Sequence, residues 1–259
     1  WYKIAAVLGN TTILLSEGYQ GNATLPGASY RAAIINKDVD IKDMTFRGST
    51  GTALSVLDAR NFRFENVKVM SSAKGMTLEN ISEFVVPAGI VIVANTGNGI
   101  EITNARISNF YSIASAGNGG HGWVLNNFTT GVILECSSSA NTGDGFNVTS
   151  CSDLSLHVEA SANGGQGIEC VSGNDNLSIQ GIMNANTSDG VKLTASSSNG
   201  RIFDCAIKNN GGFGVNLAAS TDGSMTIIAN YLNNNSSGSV SNAGTNTLIR
   251  SNQGATDYP

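Results

Sequence analysis

The chain has 259 residues, enough for one large domain or two small ones. Only 13% are charged, and a net charge of −5 leaves no basic patch for a phosphate backbone, which argues against nucleic-acid binding. No apolar run reaches the roughly 18 residues of a membrane helix, a hydrophobic content of 41% is high for a disordered chain, and 31 Gly and 31 Asn beside 3 Pro favour strands joined by tight turns.

The chain opens Trp1-Tyr2-Lys3 with neither an initiator Met nor a signal peptide, so it is expected to be a mature or excised domain. Residues 1–50 read as irregular first coils and an N-terminal cap, residues 51–238 as regular repeats, and residues 239–259 as a last coil and tail, all in one domain. In the repeats, Gly51, Gly75, Gly99, Gly122, Gly145, Gly167, Gly190, Gly214 and Gly238 each open an apolar-alternating run, at spacings of 22 to 24 residues. From Gly99 onward an asparagine stands four residues earlier: Asn95, Asn118, Asn141, Asn163, Asn186, Asn210 and Asn234. After the glycines, apolar pairs such as Ile100 and Ile102, Phe146 and Val148, or Val191 and Leu193 flank a polar residue, the alternation of a half-buried strand. Runs such as Phe62-Arg63-Phe64, Leu154-Ser155-Leu156 and Met225-Thr226-Ile227 add one or two more short strands per repeat.

A repeat of about 23 residues without a helix-length segment matches neither a leucine-rich repeat, whose Leu/Asn consensus is absent, nor a propeller blade of about 40 residues. The solution left is all-β: a single-stranded right-handed parallel β-helix of about ten coils of 22–24 residues, stacked about 4.8 Å apart. Equivalent residues then form columns. The Asn column can ladder its amides between coils, and the Gly column permits a sharp bend. Neither end offers an amphipathic cap helix, so further chain or partner subunits are expected to cover them.

The coils Asn141-Thr142-Gly143-Asp144-Gly145-Phe146, Asn163-Gly164-Gly165-Gln166-Gly167-Ile168 and Asn209-Asn210-Gly211-Gly212-Phe213-Gly214-Val215 resemble repeats of the pectate-lyase-like superfamily. The opening Thr12–Tyr19 is similar to the first coil of those proteins, and Ile41–Gly48 to their second or third. Ile249-Arg250-Ser251-Asn252-Gln253-Gly254 is similar to the ending of many β-helices in phage tail proteins. The resemblance to a phage tailspike implies an extracellular or virion-tail location, a bacterial surface glycan as partner, and a homotrimer. It also implies an active cleft beside the sheet of the first strands.

Three columns carry candidate chemistry. The first precedes the glycines: Lys74, Asn98, His121, Asp144, Gln166, Asp189 and Phe213. His121 and Asp144 fall one coil apart, within hydrogen-bond reach. Asp144 and Asp189 fall two coils apart, about 9–10 Å, near the upper limit for an inverting carboxylate pair. Turn aspartates chosen for local hydrogen bonds would look the same. The second column is the exposed face of the first strand, with Glu101, Asn147, Glu169, Lys192 and Asn216. Glu169 and Lys192 can pair there, as groups lining a sugar groove or as a surface salt bridge. The third lies eight residues after the glycine: Glu83, Asp153, Asp175 and Asp222. Asp153 and Asp175, about 5 Å apart, would form a retaining pair with one raised pKa, a Ca²⁺ site, or solvated turn residues.

Tyr111 and Tyr231 are candidate sugar-stacking rings. His157 reads as solvent-facing, and Trp123 as core. Cys136, Cys151, Cys170 and Cys205 share no column in adjacent coils and read as buried thiols, with neither zinc nor redox spacing. Ca²⁺ apart, no cofactor or metal is expected. The expected function is polysaccharide binding with chain cleavage by hydrolysis or β-elimination. The catalytic candidates are Asp144, Asp189, His121, Glu169, Lys192, Asp153 and Asp175; the substrate-binding candidates are Glu101, Asn147, Asn216 and Tyr111. A secreted polysaccharide lyase or epimerase is the alternative enzyme, and an adhesin or structural spacer the non-catalytic one.

Overall fold

A computed structural model describes residues 39–60, 62–86, 88–194, 197–218 and 224–254, together with five short strands before residue 39. Asp222, most of the expected N-terminal cap and the tail from residue 255 lie outside the described residues. The chain is a right-handed parallel β-helix of about 9 turns, close to the ten expected, with no α-helix among the described residues. Ile4–Val7 and Ile13–Leu15 pair antiparallel, and the parallel stacking begins where Tyr19–Gln20 meets Ile41 and Lys42.

Each turn has three faces. The first face stacks Thr52–Leu57, Lys74–Glu79, the starts of Ile100–Tyr111 and Trp123–Ser139, then Phe146–Thr149, Ile168–Ser172, Val191–Leu193, Phe213–Leu217 and Gly238–Asn242. The alternation read from the sequence is the burial pattern seen: Phe146 and Val148 are fully buried and Asn147 between them is half-exposed. Corners are made by left-handed residues, such as Asn127, Thr130, Glu135 and Ala140 in one turn. Half of the non-glycine residues with positive φ are Asn or Asp, the types that tolerate this conformation best, although Ile107 also adopts it. Inside, Phe64, Phe84, Phe110 and Phe128 pack with ring centroids 5.6–5.9 Å apart, and Trp123 stacks on Phe146 at 5.6 Å. Trp123 is core, as expected. The four cysteines are buried free thiols. Burial pushes Cys136 and Cys205 up to about 12 and Cys151 to about 11, so none is a ready nucleophile.

The asparagine column is a continuous buried ladder. The Oδ1 of Asn118, Asn141, Asn163, Asn186 and Asn210 each accepts two bonds from the preceding asparagine, one from its backbone N–H and one from its Nδ2, at 2.8–3.2 Å. From Asn141 onward Nδ2 also donates to an interior carbonyl, as in Asn163 to Ser138 O at 3.1 Å, while that of Asn118 donates to Ser115 Oγ. The ladder also runs further toward the N-terminus than the asparagines do: Ser72 Oγ accepts Ser49 N–H, and Asn95 Oδ1 accepts Ser72 N–H.

Three members of the expected columns are displaced. Asn210 donates to Asn235, not Asn234, because that turn is 25 residues long. Asn234 is instead an exposed left-handed corner residue. By the same slip Gly238 pairs with Phe213, and Ser239 takes the place above Gly214. At the other end, the register puts Ala53 rather than Gly51 opposite Gly75.

Replacing Asn163 with Ala strands two buried donors of Asn141, each costing about 1–3 kcal/mol. Asn163→Ala is expected to lower stability by about 2–5 kcal/mol in urea unfolding, against about 1 kcal/mol or less for Asn234→Ala. Equal losses would contradict the ladder's register.

Candidate functional site

The column before the glycines follows one local rule. A side-chain acceptor on one turn takes the backbone N–H at the same place on the next. Asn98 Oδ1 accepts His121 N–H at 2.8 Å, His121 Nδ1 accepts Asp144 N–H at 3.0 Å, Asp144 Oδ1 accepts Gln166 N–H at 2.8 Å, and Asp189 Oδ1 accepts Phe213 N–H at 2.6 Å. These acceptors fold over the residue preceding the next column member. A Cβ on Gly120, Gly165 or Gly212 would collide with the side-chain oxygen of Asn98, Asp144 or Asp189, which is why glycines bracket the column residues. The turn role weighed for Asp144 and Asp189 is therefore present. Both oxygens of Asp189 are occupied, by Phe213 N–H and by Asn216 Nδ2 at 2.9 Å.

Around Asp144 the first two columns merge into one cluster over four consecutive turns. His121 Nδ1 lies 3.1 Å from Asp144 Oδ2. Asn147 Nδ2 donates to Asp144 Oδ2 at 3.1 Å and to Glu169 Oε2 at 3.3 Å. Lys192 Nζ stands 3.6 Å from Glu169 Oε1. Asp144 is only 4% exposed, whereas the side chains of His121, Lys192 and Glu169 reach solvent at 34%, 27% and 19%.

One ring nitrogen of His121 thus faces both an amide donor and a carboxylate. As a neutral ring it accepts from Asp144 N–H; as imidazolium it donates to Oδ2. The hydrogen bond to Asp144 raises the His121 pKa above 6.5; burial opposes this, and the charges of Asp144, Glu169 and Glu101 reinforce it. Burial alone would raise the Asp144 pKa, but His121, Gln166 N–H and Asn147 outweigh it and hold the carboxyl below 3.8. Glu169 goes the other way: burial, then the neighbouring Asp144 charge, raise it above 4.5 against the pull of Lys192. Two adjacent carboxylates are thereby made unequal.

The strip continues on both sides. Glu101 is held by Asn98 Nδ2 at 2.8 Å and Lys74 Nζ at 2.9 Å, and Asn216 holds Asp189. Glu101, His121, Asp144, Asn147, Glu169, Lys192, Asp189 and Asn216 therefore all lie on one wall. Sequence spacing did not single out Lys74 or Asn98 as partners of Glu101, although both stand in the first column.

Asp153 and Asp175 lie on adjacent turns, where Asp153 N–H donates to Asp175 O at 3.1 Å, but they are one position out of register. Ile168–Ser172 carries an extra residue relative to Phe146–Thr149, so Thr149 pairs with Ser172 and Asp175 falls opposite Ser152. Asp153 accepts from Asn176 at 2.7 Å instead. Asp175 accepts from Ser198 and Asn199, and these donors lower its pKa rather than raising it. The retaining pair and the Ca²⁺ site expected there lose their geometry, and no group of three or more metal-ligating side chains forms among the described residues. Glu83 shares the Asp153 corner column. Tyr111 stands on the second face, stacked in register with Leu134 and His157, away from the cluster. His157 is exposed, as expected. Tyr231 is 44% exposed, and its hydroxyl accepts from Asn233.

Residues 32–182 match the family described as right handed beta helix region, and the chain belongs to it. No curated protein matches the sequence. Among solved structures, the A-module of an Azotobacter vinelandii mannuronan C-5 epimerase is similar at 18% identity over 90% of this chain and 79% of that one, with a TM-score of 0.58. A periplasmic alginate epimerase is similar at 12% identity over 95% and 79%, with a TM-score of 0.63. The catalytic domain of an α-1,3-glucanase in complex with nigerose is similar at 12% identity over 94% and 62%, with a TM-score of 0.60. At these identities the likeness is one of fold.

The His121–Asp144 pair sets a pH window. Its His part contributes fully below 6.5 and is lost as pH rises through the raised folded value; its Asp part is present above 3.8 and is lost as pH falls through the lowered one. Imidazole NMR is expected to show His121 titrating above 6.5, and Asp144→Asn to bring that midpoint down. An unmoved midpoint would mean that the contact carries no charge coupling.

Proposed function

We propose that this member of the right-handed β-helix family binds a polysaccharide along the wall from Glu101 to Asn216 and hydrolyses it. His121 serves as general acid and Glu169 as general base. The observation that carries the reading is the Asn147-centred cluster, in which neighbouring titratable groups are driven apart by their surroundings. Asp144 is too buried and too fully bonded to attack a sugar; it orients the ring and stabilises the imidazolium. Glu169 is more exposed, meets Asn147 and Lys192 at the longer distances of 3.3 and 3.6 Å, and takes a proton from water. The reacting form has His121 protonated and Glu169 ionised, and the raised His121 pKa favours its protonated ring. The imidazolium gives its proton to the glycosidic oxygen as the C–O bond breaks, Glu169 takes one from the incoming water, and solvent exchange resets both. Glu169 sets the acid limb of the pH profile and His121 the alkaline limb.

Polysaccharide-acting β-helices of the same fold support a glycan substrate. The two lysines of the wall are paired with glutamates, so an uncharged or weakly charged glycan fits better than a polyuronate. A second reading, proton abstraction from a uronate as in a lyase or epimerase, is favoured by the imidazole beside the carboxylates and by the epimerases among the structural neighbours. On our reading the glycan is a bacterial surface polymer, and the chain works outside the cell or on a virion tail as a homotrimer, which mass measurement in solution tests.

Incubation with neutral and acidic bacterial polysaccharides is expected to release reducing ends without ultraviolet absorbance from a new double bond. Glu169→Gln and His121→Ala should each lower the rate about 10²–10⁴-fold. Absorbance from a double bond would favour the lyase reading. Binding without cleavage, or cleavage indifferent to both variants, would overturn the mechanism.

A further inference from the structure

Within the exposed column of the first face, Val124, Asn147, Glu169, Lys192 and Asn216 stack in register. Carboxylates elsewhere on this wall are held singly: Asn98 and Lys74 grip Glu101, and Asn216 grips Asp189. At Asn147 the arrangement differs, because one amide nitrogen donates to two carboxylates on adjacent turns, at 3.1 and 3.3 Å. A carboxamide nitrogen has two protons, and ionised carboxylates only accept, so the match is one proton to each oxygen.

We propose that Asn147 is the positioning residue of this site: its two amide protons bridge the neighbouring Asp144 and Glu169 carboxylates and hold each to its own partner, Asp144 to His121 and Glu169 to Lys192. Expected from the sequence as a sugar-binding residue, Asn147 acts instead through its neighbours. The inference rests on the site proposed above and deepens it. The two carboxylates already lie within hydrogen-bond reach of each other on adjacent turns, and without the amide between them such pairs come to share a proton and titrate as a unit. The charged and titratable groups around them are His121, Lys192 and, through His121, Glu101; Cys170 lies behind Glu169 on the inward face.

The test is carboxyl ¹³C NMR titration of the protein without ligand, in wild type, Asn147→Val and Asn147→Gln. Val is the residue the same column already carries at position 124, so the face accommodates it. In Asn147→Val the Glu169 midpoint is expected to rise and the Asp144 and Glu169 curves to become more strongly biphasic than in wild type. Asn147→Gln, which keeps the amide, is expected to restore the wild-type curves. Far-ultraviolet spectra and the His157 signal, from another face, serve as fold controls. Should the Val variant unfold, Asn147→Thr replaces it, with Thr77 as its precedent in the column. Wild-type curves in a folded Val or Thr variant would overturn the proposal. So would an equal shift in Asn147→Gln, which would make bulk rather than the amide the cause. The readout needs no turnover. A shift without any polysaccharide cleavage would remove the hydrolase reading alone; cleavage with unshifted curves would remove this one alone.

Discussion

The structure depends on a buried amide that only the next turn can satisfy. An asparagine side chain in the interior presents two donors and an acceptor, and leaving them unpaired costs more than the bonds return when made. From Asn95 to Asn210 each donates to an asparagine one turn away, and from Asn141 to Asn235 each also donates to an interior carbonyl. A slip of one residue would orphan the whole set and also turn every strand's apolar face outward. The backbone ladder sets the height of each turn; the asparagine ladder sets its register.

That register builds the candidate site. Side chains far apart in the chain become vertical neighbours, so His121, Asp144 and Glu169 meet without any long loop to bring them together. The corner geometry then gives Asp144 two tasks. One oxygen closes the next turn by accepting Gln166 N–H, and the other faces His121 and Asn147. A group that secures the backbone is a rigid mount for the imidazole, and the same burial makes it unsuited to react itself. Glu169, with longer contacts and more exposure, keeps the freedom that Asp144 has given up.

The fold was legible because its period is written in two residue types with distinct physical duties, Gly where a Cβ would collide and Asn where amides must stack. The misplacements came from counting. A fixed offset from each glycine assumes turns of equal length, yet the extra residue in Ile168–Ser172 put Asp175 one position out of register with Asp153, and the long turn before Asn235 moved Asn234 and Gly238 out of their columns. Ser49 and Ser72 continue the ladder with hydroxyls, which a search for asparagine passes over. At the site, the contact between His121 and Asp144 followed from column position alone. The bridging by Asn147 did not, since it depends on which way a side chain leans across two turns, and no spacing encodes that.

The central claim is that these asparagines form one shared, buried ladder. Hydrogen exchange of the side-chain amides, followed by ¹⁵N NMR, tests it most directly. The Nδ2 protons of Asn141, Asn163 and Asn186 are predicted to exchange as slowly as the core backbone amides, while Asn234 exchanges freely. Rapid exchange at all four would contradict the account.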